Sequence, residues 1–149
     1  MMSSDFSNAN DSPGFLLWQV TATWQKNIRQ ALEPFELTHP QFVLLYSCYW
    51  LNLQVDRAGV TQVHLARHTK VDVNVTSQVL RTLQKRGLID RKPHPTDTRA
   101  NLIVVTQDGI SLATRAVRAV EDVDRTFFSV LTDAERHEMV GFMLQLLTP

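Results

Sequence analysis

The sequence predicts a mainly α-helical protein with one small β-hairpin. A length of 149 residues with 44% hydrophobic content is enough for one domain with a real core. Apolar residues recur every two to four positions over most of the chain, which is typical of amphipathic helices. An alternating apolar run follows a proline-rich stretch in HPTDTRANLIVVTQDG, residues 94–109, and stops at a glycine. That pattern indicates a hairpin.

The chain begins with a polar, acidic stretch, so residues 1–13 are predicted to be a disordered tail and not a signal peptide. A helix is predicted within residues 14–37, because apolar residues recur at helical spacing from Phe15 to Phe35, and Pro34 helps to end it. No apolar run approaches the roughly 20 residues that span a bilayer. The single cysteine excludes an internal disulfide framework, so we expect a cytoplasmic protein.

Two further helices form a helix-turn-helix candidate. Before them, Thr38 and Gln41 are spaced as a capping box, and the helix that follows, QFVLLYSCYWL, is apolar nearly all round and is predicted to be buried. Thr61 can cap a short helix, QVHLARHT, and a longer helix is predicted from about Val73 to Arg86, ended by Gly87. Two short helices with a tight link are typical of a helix-turn-helix.

The longer of these helices has two distinct faces. Its apolar residues, Val75, Val79, Leu80 and Leu83, are predicted to pack on the core. Its other residues offer hydrogen bonds and cations, which suits a helix lying in a DNA major groove. The alternative is an ordinary solvated face. The candidate DNA-binding residues of this helix are Asn74, Thr76, Ser77, Gln78, Arg81 and Lys85.

The segments LIDRKP and ANLIVVT after Gly87 are predicted to be two short strands joined by a stiff loop. Pro93 and Pro95 restrict the backbone and remove donors, so this loop is not expected to pair as a strand. Asp97 and Arg99 are expected to form an ion pair at the tip, with the guanidinium facing outward, and narrow minor grooves attract arginine. Residues 38–106 are therefore predicted to be a winged helix-turn-helix. Its candidate DNA-binding wing residues are Arg91, Lys92, His94, Asp97 and Arg99.

The formal net charge of zero conceals an asymmetry. Residues 55–101 hold nine Lys or Arg and four Asp, whereas the flanks hold six bases and eleven acids. A basic centre between acidic ends indicates a local surface for a polyanion. An ordinary mixed surface is the alternative.

The ends of the chain carry more apolar stripe than a small winged helix needs. Residues 107–149 contain one long amphipathic helix, then TDAE, a capping box that opens a last helix. Met139, Phe142, Met143, Leu146 and Leu147 share one side of that helix. Together with the first helix, this region is interpreted as a homodimer interface, and two-fold symmetry would set the half-site spacing on DNA. A helical cap on a monomer is the alternative.

The segments LTHPQF and VTQVHLARHTKVDVNVTSQVLRTLQKRGLIDRKPHPTDTRANLIVVTQDG resemble the MarR family of bacterial transcriptional regulators, over about residues 15–147. The resemblance lies in the joint spacing of a KRGL-like helix end, a D-x-R wing and a T-x-x-G helix entry. It implies a homodimer with two winged helices on a pseudo-palindromic operator. Arg99 falls on the family's wing arginine and Asp97 on its partner. Val73 and Gln78 depart from the family pattern, so the operator sequence does not carry over.

The resemblance also implies release from DNA by a small aromatic or anionic ligand, bound between the dimer helices and the winged helix. Candidate ligand-binding residues are Trp18, Trp24, Tyr46 and Trp50, although core packing is the better explanation for most of them. We predict a repressor, with a winged-helix protein-interaction module that does not read DNA as the alternative.

Other chemistry is weakly supported. Cys48 is interpreted as a small buried hydrophobe and not as a redox sensor, because nothing cationic adjoins it in sequence. His64 and His68 are spaced to share a metal, yet no further ligand is evident, so neither metal nor cofactor is predicted. The sequence contains no phosphate-binding glycine loop, nucleophile elbow or paired catalytic carboxylates, which argues against an enzyme.

Overall fold

The computed structural model describes residues 5–54, 58–97 and 99–148, and within them it is mainly helical. Its helices are α1 (Pro13–Leu32), α2 (His39–Gln54), α3 (Gln62–Thr69), α4 (Val73–Lys85), α5 (Gln107–Phe127) and α6 (Asp133–Leu147). Its strands are β1 (Val60–Thr61), β2 (Ile89–Pro93) and β3 (Asn101–Val105). The predicted order of helices and hairpin is confirmed.

The predicted helix caps are present. Thr38 and Gln41 form the reciprocal bonds of a capping box before α2, with N···O distances of 3.0 and 3.2 Å. Thr132 and Glu135 do the same before α6, and Thr61 accepts a hydrogen bond from the His64 amide to begin α3. These bonds satisfy helix N–H groups that otherwise have no partner, so local sequence alone defines where these helices start.

The sheet has three antiparallel strands in the order β1-β3-β2, one more than the sequence predicts. The extra strand, β1, is two residues long and pairs Val60 with Ile103, too short to leave an alternating pattern. Pro93 was expected to lie in the loop, but it is the last residue of β2 and pairs with Asn101. A proline is tolerated there because β2 is an edge strand.

The T-x-x-G segment, Thr106 to Gly109, joins the hairpin to α5. The Thr106 hydroxyl donates to the Gly87 carbonyl at 2.7 Å and accepts from the Gly109 amide at 3.1 Å. A Cβ on Gly109 would lie 2.1 Å from the Leu88 carbonyl oxygen, so only glycine lets α5 approach the start of β2 this closely.

The core lies where α1, α2 and α5 pack together over α4 and the sheet. Its fully buried members include Ile28 of α1, Leu44 and Leu45 of α2, Leu80 of α4 and Ala113 of α5. The apolar stripe of α5 therefore packs largely within the chain, whereas the sequence analysis assigned it to a dimer interface. The prediction that α2 is the buried helix is confirmed.

Near both ends of the chain, apolar side chains are exposed and do not join the core. No residue of α6 is buried, and most of its apolar side chains are exposed to solvent, with Phe142 60% and Leu146 81% exposed. Phe15, Leu17 and Trp18 at the start of α1 are also exposed. Residues 1–4 of the predicted tail lie outside the described residues, and Ala9–Asp11 form a 3-10 turn where disorder was expected. Pro149 also lies outside the described residues.

Candidate nucleic-acid interface and effector cleft

α4 presents a polar, cationic face to solvent. Asp72 begins the helix, because its carboxylate accepts hydrogen bonds from the amides of Asn74 at 2.8 Å and Val75 at 3.2 Å. Gly87, with a φ of +74°, follows its end. Four of the predicted DNA-binding residues are spaced three or four positions apart and are exposed together on one side of the helix: Asn74, Gln78, Arg81 and Lys85. Ser77 is half-buried beside them.

Two assignments on α4 were wrong. Thr76 was predicted to face DNA, but it is 0% exposed, and its hydroxyl lies 3.5 Å from the Val71 carbonyl. Val75 was predicted to pack on the core, yet it is 39% exposed. The side that packs is formed by Thr76, Leu80 and Leu83, since these three positions share one helix face. Threonine is tolerated at this buried position because the Val71 carbonyl satisfies its hydroxyl.

The wing consists of β2, β3 and the described residues between them, 94–97, 99 and 100. Lys92, Asp97 and Arg99 are exposed there. The expected ion pair between Asp97 and Arg99, both described residues, is not formed; instead, the Asp97 carboxylate accepts a hydrogen bond from the backbone amide of Arg99 at 3.0 Å. This contact shapes the turn and leaves the guanidinium available, which is typical of an aspartate at a turn.

Two other predicted wing residues have structural partners. The half-buried His94 accepts hydrogen bonds at Nδ1 from the amides of Thr96 at 3.1 Å and Asp97 at 3.0 Å, so it organises the turn. Arg91 donates from Nε to Gln84 Oε1 at 3.0 Å, which ties β2 to α4. Arg91 and Arg99 also line a cavity of about 250 Å³ beside the start of α3. The wing and α4 therefore form one continuous basic surface.

A cleft of about 510 Å³ lies between α1, the start of α2 and the link from α3 to α4. Its lining is mostly apolar, with a few polar groups, and consists of Trp24, Gln25, Arg29, Thr38, His39, Pro40, Val43, Thr69 and Val71. A largely apolar cleft with convergent polar groups is typical of a small-molecule site. The positive Arg29 makes this one suited to an anion.

Of the four predicted ligand-binding residues, only Trp24 lines this cleft. Trp18 is 72% exposed near the start of α1, away from the cleft lining. Tyr46 stacks on Phe42, with ring centroids 5.9 Å apart, and Trp50 stacks on His68 at 5.6 Å. Periodicity placed these rings on the right helices but could not assign them to a face, because α2 is apolar nearly all round.

A polar group of residues behind the cleft was missed by sequence reasoning. Trp24 Nε1 donates to Asp124 of α5 at 2.8 Å, and its ring meets His39 edge-on at 5.2 Å. Burial, reinforced by the Arg29 charge and opposed by Asp124, lowers the pKa of His39 below its ordinary value of 6.5. No sequence signal links these residues, because 100 positions separate Trp24 from Asp124.

Cys48 and the histidine pair carry no evident site. Cys48 is fully buried, and burial raises the pKa of its thiol to about 12, so the thiolate is not formed near neutral pH. The interpretation of Cys48 as a small buried hydrophobe is confirmed. His64 and His68 are exposed on α3, and within the described residues no group of three or more His, Cys, Asp or Glu side chains is placed to hold a metal.

The fold and its basic surface define a winged helix-turn-helix protein. None of the described helices is long and apolar enough to cross a membrane. A family model described as the MarR family matches residues 53–100. The uncharacterized HTH-type transcriptional regulator YdcH of Bacillus subtilis is 42% identical over 132 residues, which cover 89% of this chain and 88% of YdcH. The chain therefore belongs to the MarR family of transcriptional regulators.

Two solved structures share the whole architecture. A cysteine-to-serine mutant of MarR from E. coli, complexed with operator DNA, is 25% identical and superimposes with a TM-score of 0.81, covering 98% of this chain and 100% of that one. BpsR of Bordetella bronchiseptica, whose DNA binding is regulated by 6-hydroxynicotinic acid, is 25% identical with a TM-score of 0.79, covering 91% and 98% of the two chains. The predicted family and fold class are confirmed.

Proposed function

We propose that this regulator binds a pseudo-palindromic operator as a homodimer and represses transcription until a small aromatic anion releases it from DNA. The observation that carries the proposal is the continuous basic surface formed by the exposed face of α4 and the wing. Both parts present cations. As a transcription regulator, the protein is proposed to act in the cytoplasm. A winged-helix protein-interaction module gives no reason for cations at both places, and the family membership does not favour it.

α4 is the proposed recognition helix. Asn74 and Gln78 can each pair bidentately with adenine, and Arg81 can do so with guanine. Lys85, at the end of the helix, suits a phosphate. The exposed methyl groups of Val75 are suited to contact a thymine methyl, a role that the sequence pattern concealed.

The wing is proposed to enter the neighbouring minor groove. Arg99 is the exposed cation nearest its tip, and a guanidinium is attracted by the negative potential of a narrow minor groove. Lys92 suits a flanking phosphate. His94 and Asp97 act differently in this proposal, because their hydrogen bonds with the backbone hold the turn that presents Arg99.

The proposed homodimer uses α6 and the start of α1. These two segments carry most of the exposed large hydrophobic side chains of the described residues, among them Leu17, Trp18, Phe142 and Leu146. A monomeric protein rarely leaves this many large apolar side chains in water. A second copy of the chain covers it and places two copies of α4 on successive half-sites of one face of DNA.

The effector is proposed to be an aromatic carboxylate held in the cleft beside Trp24. Arg29 offers a charge-assisted bond to the carboxylate, and Pro40 and Val43 offer apolar contact to the ring. The regulation of BpsR by an aromatic acid supports this ligand class. Because the cleft joins α1 to the helix-turn-helix, a bound ligand can change the distance between the two recognition helices of a dimer.

The test is fluorescence anisotropy with the DNA beside the protein's own gene, against a scrambled duplex, over a series of salt concentrations. We expect specific binding to exceed scrambled binding by about 10³-fold or more, with a steep loss in salt. Arg99→Ala should weaken binding without changing the dimer. Gln78→Ala should reduce discrimination at one or two base pairs by about 1–3 kcal/mol.

Arg118→Ala is the matched control, because it removes an exposed arginine of α5 outside the proposed interface. It should leave operator affinity nearly unchanged. Equal losses from Arg118→Ala and Arg99→Ala would show a general charge effect and contradict the wing's role. Equal binding to operator and scrambled duplexes, tested over all DNA flanking the gene, would contradict specific recognition.

A further inference from the structure

Asn52, near the end of α2, is a polar side chain enclosed in the apolar core. It is 2% exposed, and Thr76 is the other buried polar residue among those that the structure describes. A buried amide costs free energy unless its donor and acceptor are both satisfied, so both ends of the Asn52 side chain need hydrogen-bond partners. An apolar residue would fill this position without that requirement.

Both ends of the Asn52 amide are bonded to the backbone of β3. Nδ2 donates to the Ile103 carbonyl at 3.1 Å, and Oδ1 accepts from the Val105 amide at 2.9 Å. The Thr106 amide donates a hydrogen bond to the carbonyl of Leu88, next to β2, so the backbone groups of Thr106 face β2. Along an antiparallel strand, the backbone groups of successive residues face opposite edges. The groups that Asn52 binds therefore lie on the opposite edge of β3, and β1 pairs along that edge only with residues 102 and 103.

This position connects the core to the wing. α2 packs against α4, the proposed recognition helix, and β3 leads back to the wing turn at Arg99. Arg99 lies four residues from Ile103, roughly 13 Å along an extended strand. A tilt of about 10° at the attachment would move the wing tip by roughly 2 Å, which is enough to break a hydrogen bond to DNA.

We propose that Asn52 is a positioning residue for DNA recognition, which fixes the angle of the wing relative to α4 through its paired bonds to β3. The inference rests on the proposed DNA-binding function. Two bonds to one strand, two residues apart, define a register that a single bond or an apolar contact does not. The side chain touches no DNA, so its effect on binding must pass through the wing.

A double-mutant cycle separates positioning from stability. Asn52→Ala should weaken operator binding roughly tenfold in the otherwise wild-type protein, and no more than removal of the wing cations does. In a background with Lys92→Ala and Arg99→Ala, where the wing no longer contributes, the same substitution should cost less than about twofold. A mere loss of stability would weaken binding equally in both backgrounds.

Asn52→Leu is the second variant, because leucine restores the volume while removing both bonds, and it should reproduce the cycle. Cys48→Ala is the matched control, since Cys48 is a buried neighbour whose Sγ lies 3.8 Å from the same Ile103 carbonyl and 3.9 Å from Asn52 Oδ1, and its removal leaves both bonds between Asn52 and β3 in place. It should leave operator binding unchanged. Combined with Gln78→Ala on α4, Asn52→Ala should be additive, because the two side chains act through different parts of the interface.

Amide hydrogen exchange tests the attachment without DNA. The Val105 amide and the amides of the β2–β3 hairpin should exchange faster in both Asn52 variants, whereas those of α4 should keep their protection. Each of four results would overturn the proposal: uniformly faster exchange, failure of both variants to fold, equal losses of operator affinity in both backgrounds, or unchanged operator binding. Absence of specific DNA binding by the wild type would overturn the proposed function. The exchange result would then test only whether Asn52 holds β3 in place.

Discussion

α2 and α6 are similar helices with opposite fates. α2 has 16 residues and α6 has 15, both are rich in apolar residues, and both begin with a threonine capping box. Six residues of α2 are buried, including Leu45 and Cys48, whereas no residue of α6 is buried. Capping and helix propensity therefore define a helix, but burial depends on whether the chain supplies a surface to pack against.

The contrast supports the proposal that a second copy of the chain covers α6. α2 is surrounded by α1, α4, α5 and β3 of the same chain. α6 extends beyond that core, with Leu146 81% exposed and Phe142 60% exposed. Since a contiguous apolar surface is stable in water only when it is covered, the two helices are expected to respond differently to substitution and to protein concentration.

The largest expected effect is on the free energy of unfolding, which substitutions in α2 and in α6 should change by different amounts. Leu45→Ala should lower the free energy of unfolding by about 2–5 kcal/mol, because it leaves a cavity in a fully packed core. Leu146→Ala should lower it less, and its effect should vary with protein concentration, because the contact that it removes is proposed to lie between copies. Denaturant unfolding at two protein concentrations measures both. A concentration-independent loss from Leu146→Ala as large as that from Leu45→Ala would contradict the comparison.

A charge on α6 should affect assembly before it affects folding. Leu146→Glu places a carboxylate in the proposed apolar interface and should weaken dimerisation at least about tenfold, as measured by sedimentation. Leu53→Glu is the control, because Leu53 is an exposed leucine of α2, 46% exposed, outside the proposed interface. A monomeric wild-type protein, or a dimer that tolerates Leu146→Glu, would exclude α6 as the interface.

The smallest expected effect concerns acid sensitivity near the starts of α2 and α6. Burial lowers the pKa of His39, so the unfolded chain binds this proton more tightly. The stability associated with neutral His39 is full above pH 6.5 and is lost as the pH falls from there toward the lower folded pKa. His39→Gln should flatten the melting temperature between about pH 7 and pH 5 by about 1–3 °C.

At α6, hydrogen bonds from the backbone and hydroxyl of Thr132 lower the pKa of Glu135 below 4.5. Its contribution is present above pH 4.5 and is lost as the pH falls through the folded pKa, so Glu135→Gln should alter only the more acidic part of the melting curve. Thermal melts from pH 3 to pH 7.5 would measure both windows. A change in the same window for both variants would contradict this assignment.

Much of the architecture could be predicted because its signals are local. The capping residues Thr38 and Thr132, the glycine after α4 and the prolines of the wing each act within a few positions of the chain. β1 could not be predicted, because two residues carry no periodicity. The role of His94 could not be predicted either, since its hydrogen bonds depend on a turn that exists only once the hairpin has formed.

On α4, the sequence predicted the exposed cations Arg81 and Lys85 correctly but misplaced its small residues. Thr76 faces inward and Val75 outward, and polarity alone does not predict this, because a threonine can satisfy its hydroxyl with a nearby backbone carbonyl. Of the ligand cleft, only Trp24 was predicted, since Arg29 and His39 meet it through the packing of α1 on α2.

The sequence by itself determined which segments are the six helices and the two hairpin strands, where most of them begin, and that a basic centre lies between acidic ends. Hydrogen bonding to nearby backbone and apolar periodicity act over a few residues, so they can be read from the chain directly. Only the tertiary structure decided that the apolar stripe of α5 packs within the chain, which side chains join Trp24 in lining the cleft, and that Asn52 binds β3 across 51 and 53 positions. Those contacts join residues distant in sequence, and no local pattern specifies them.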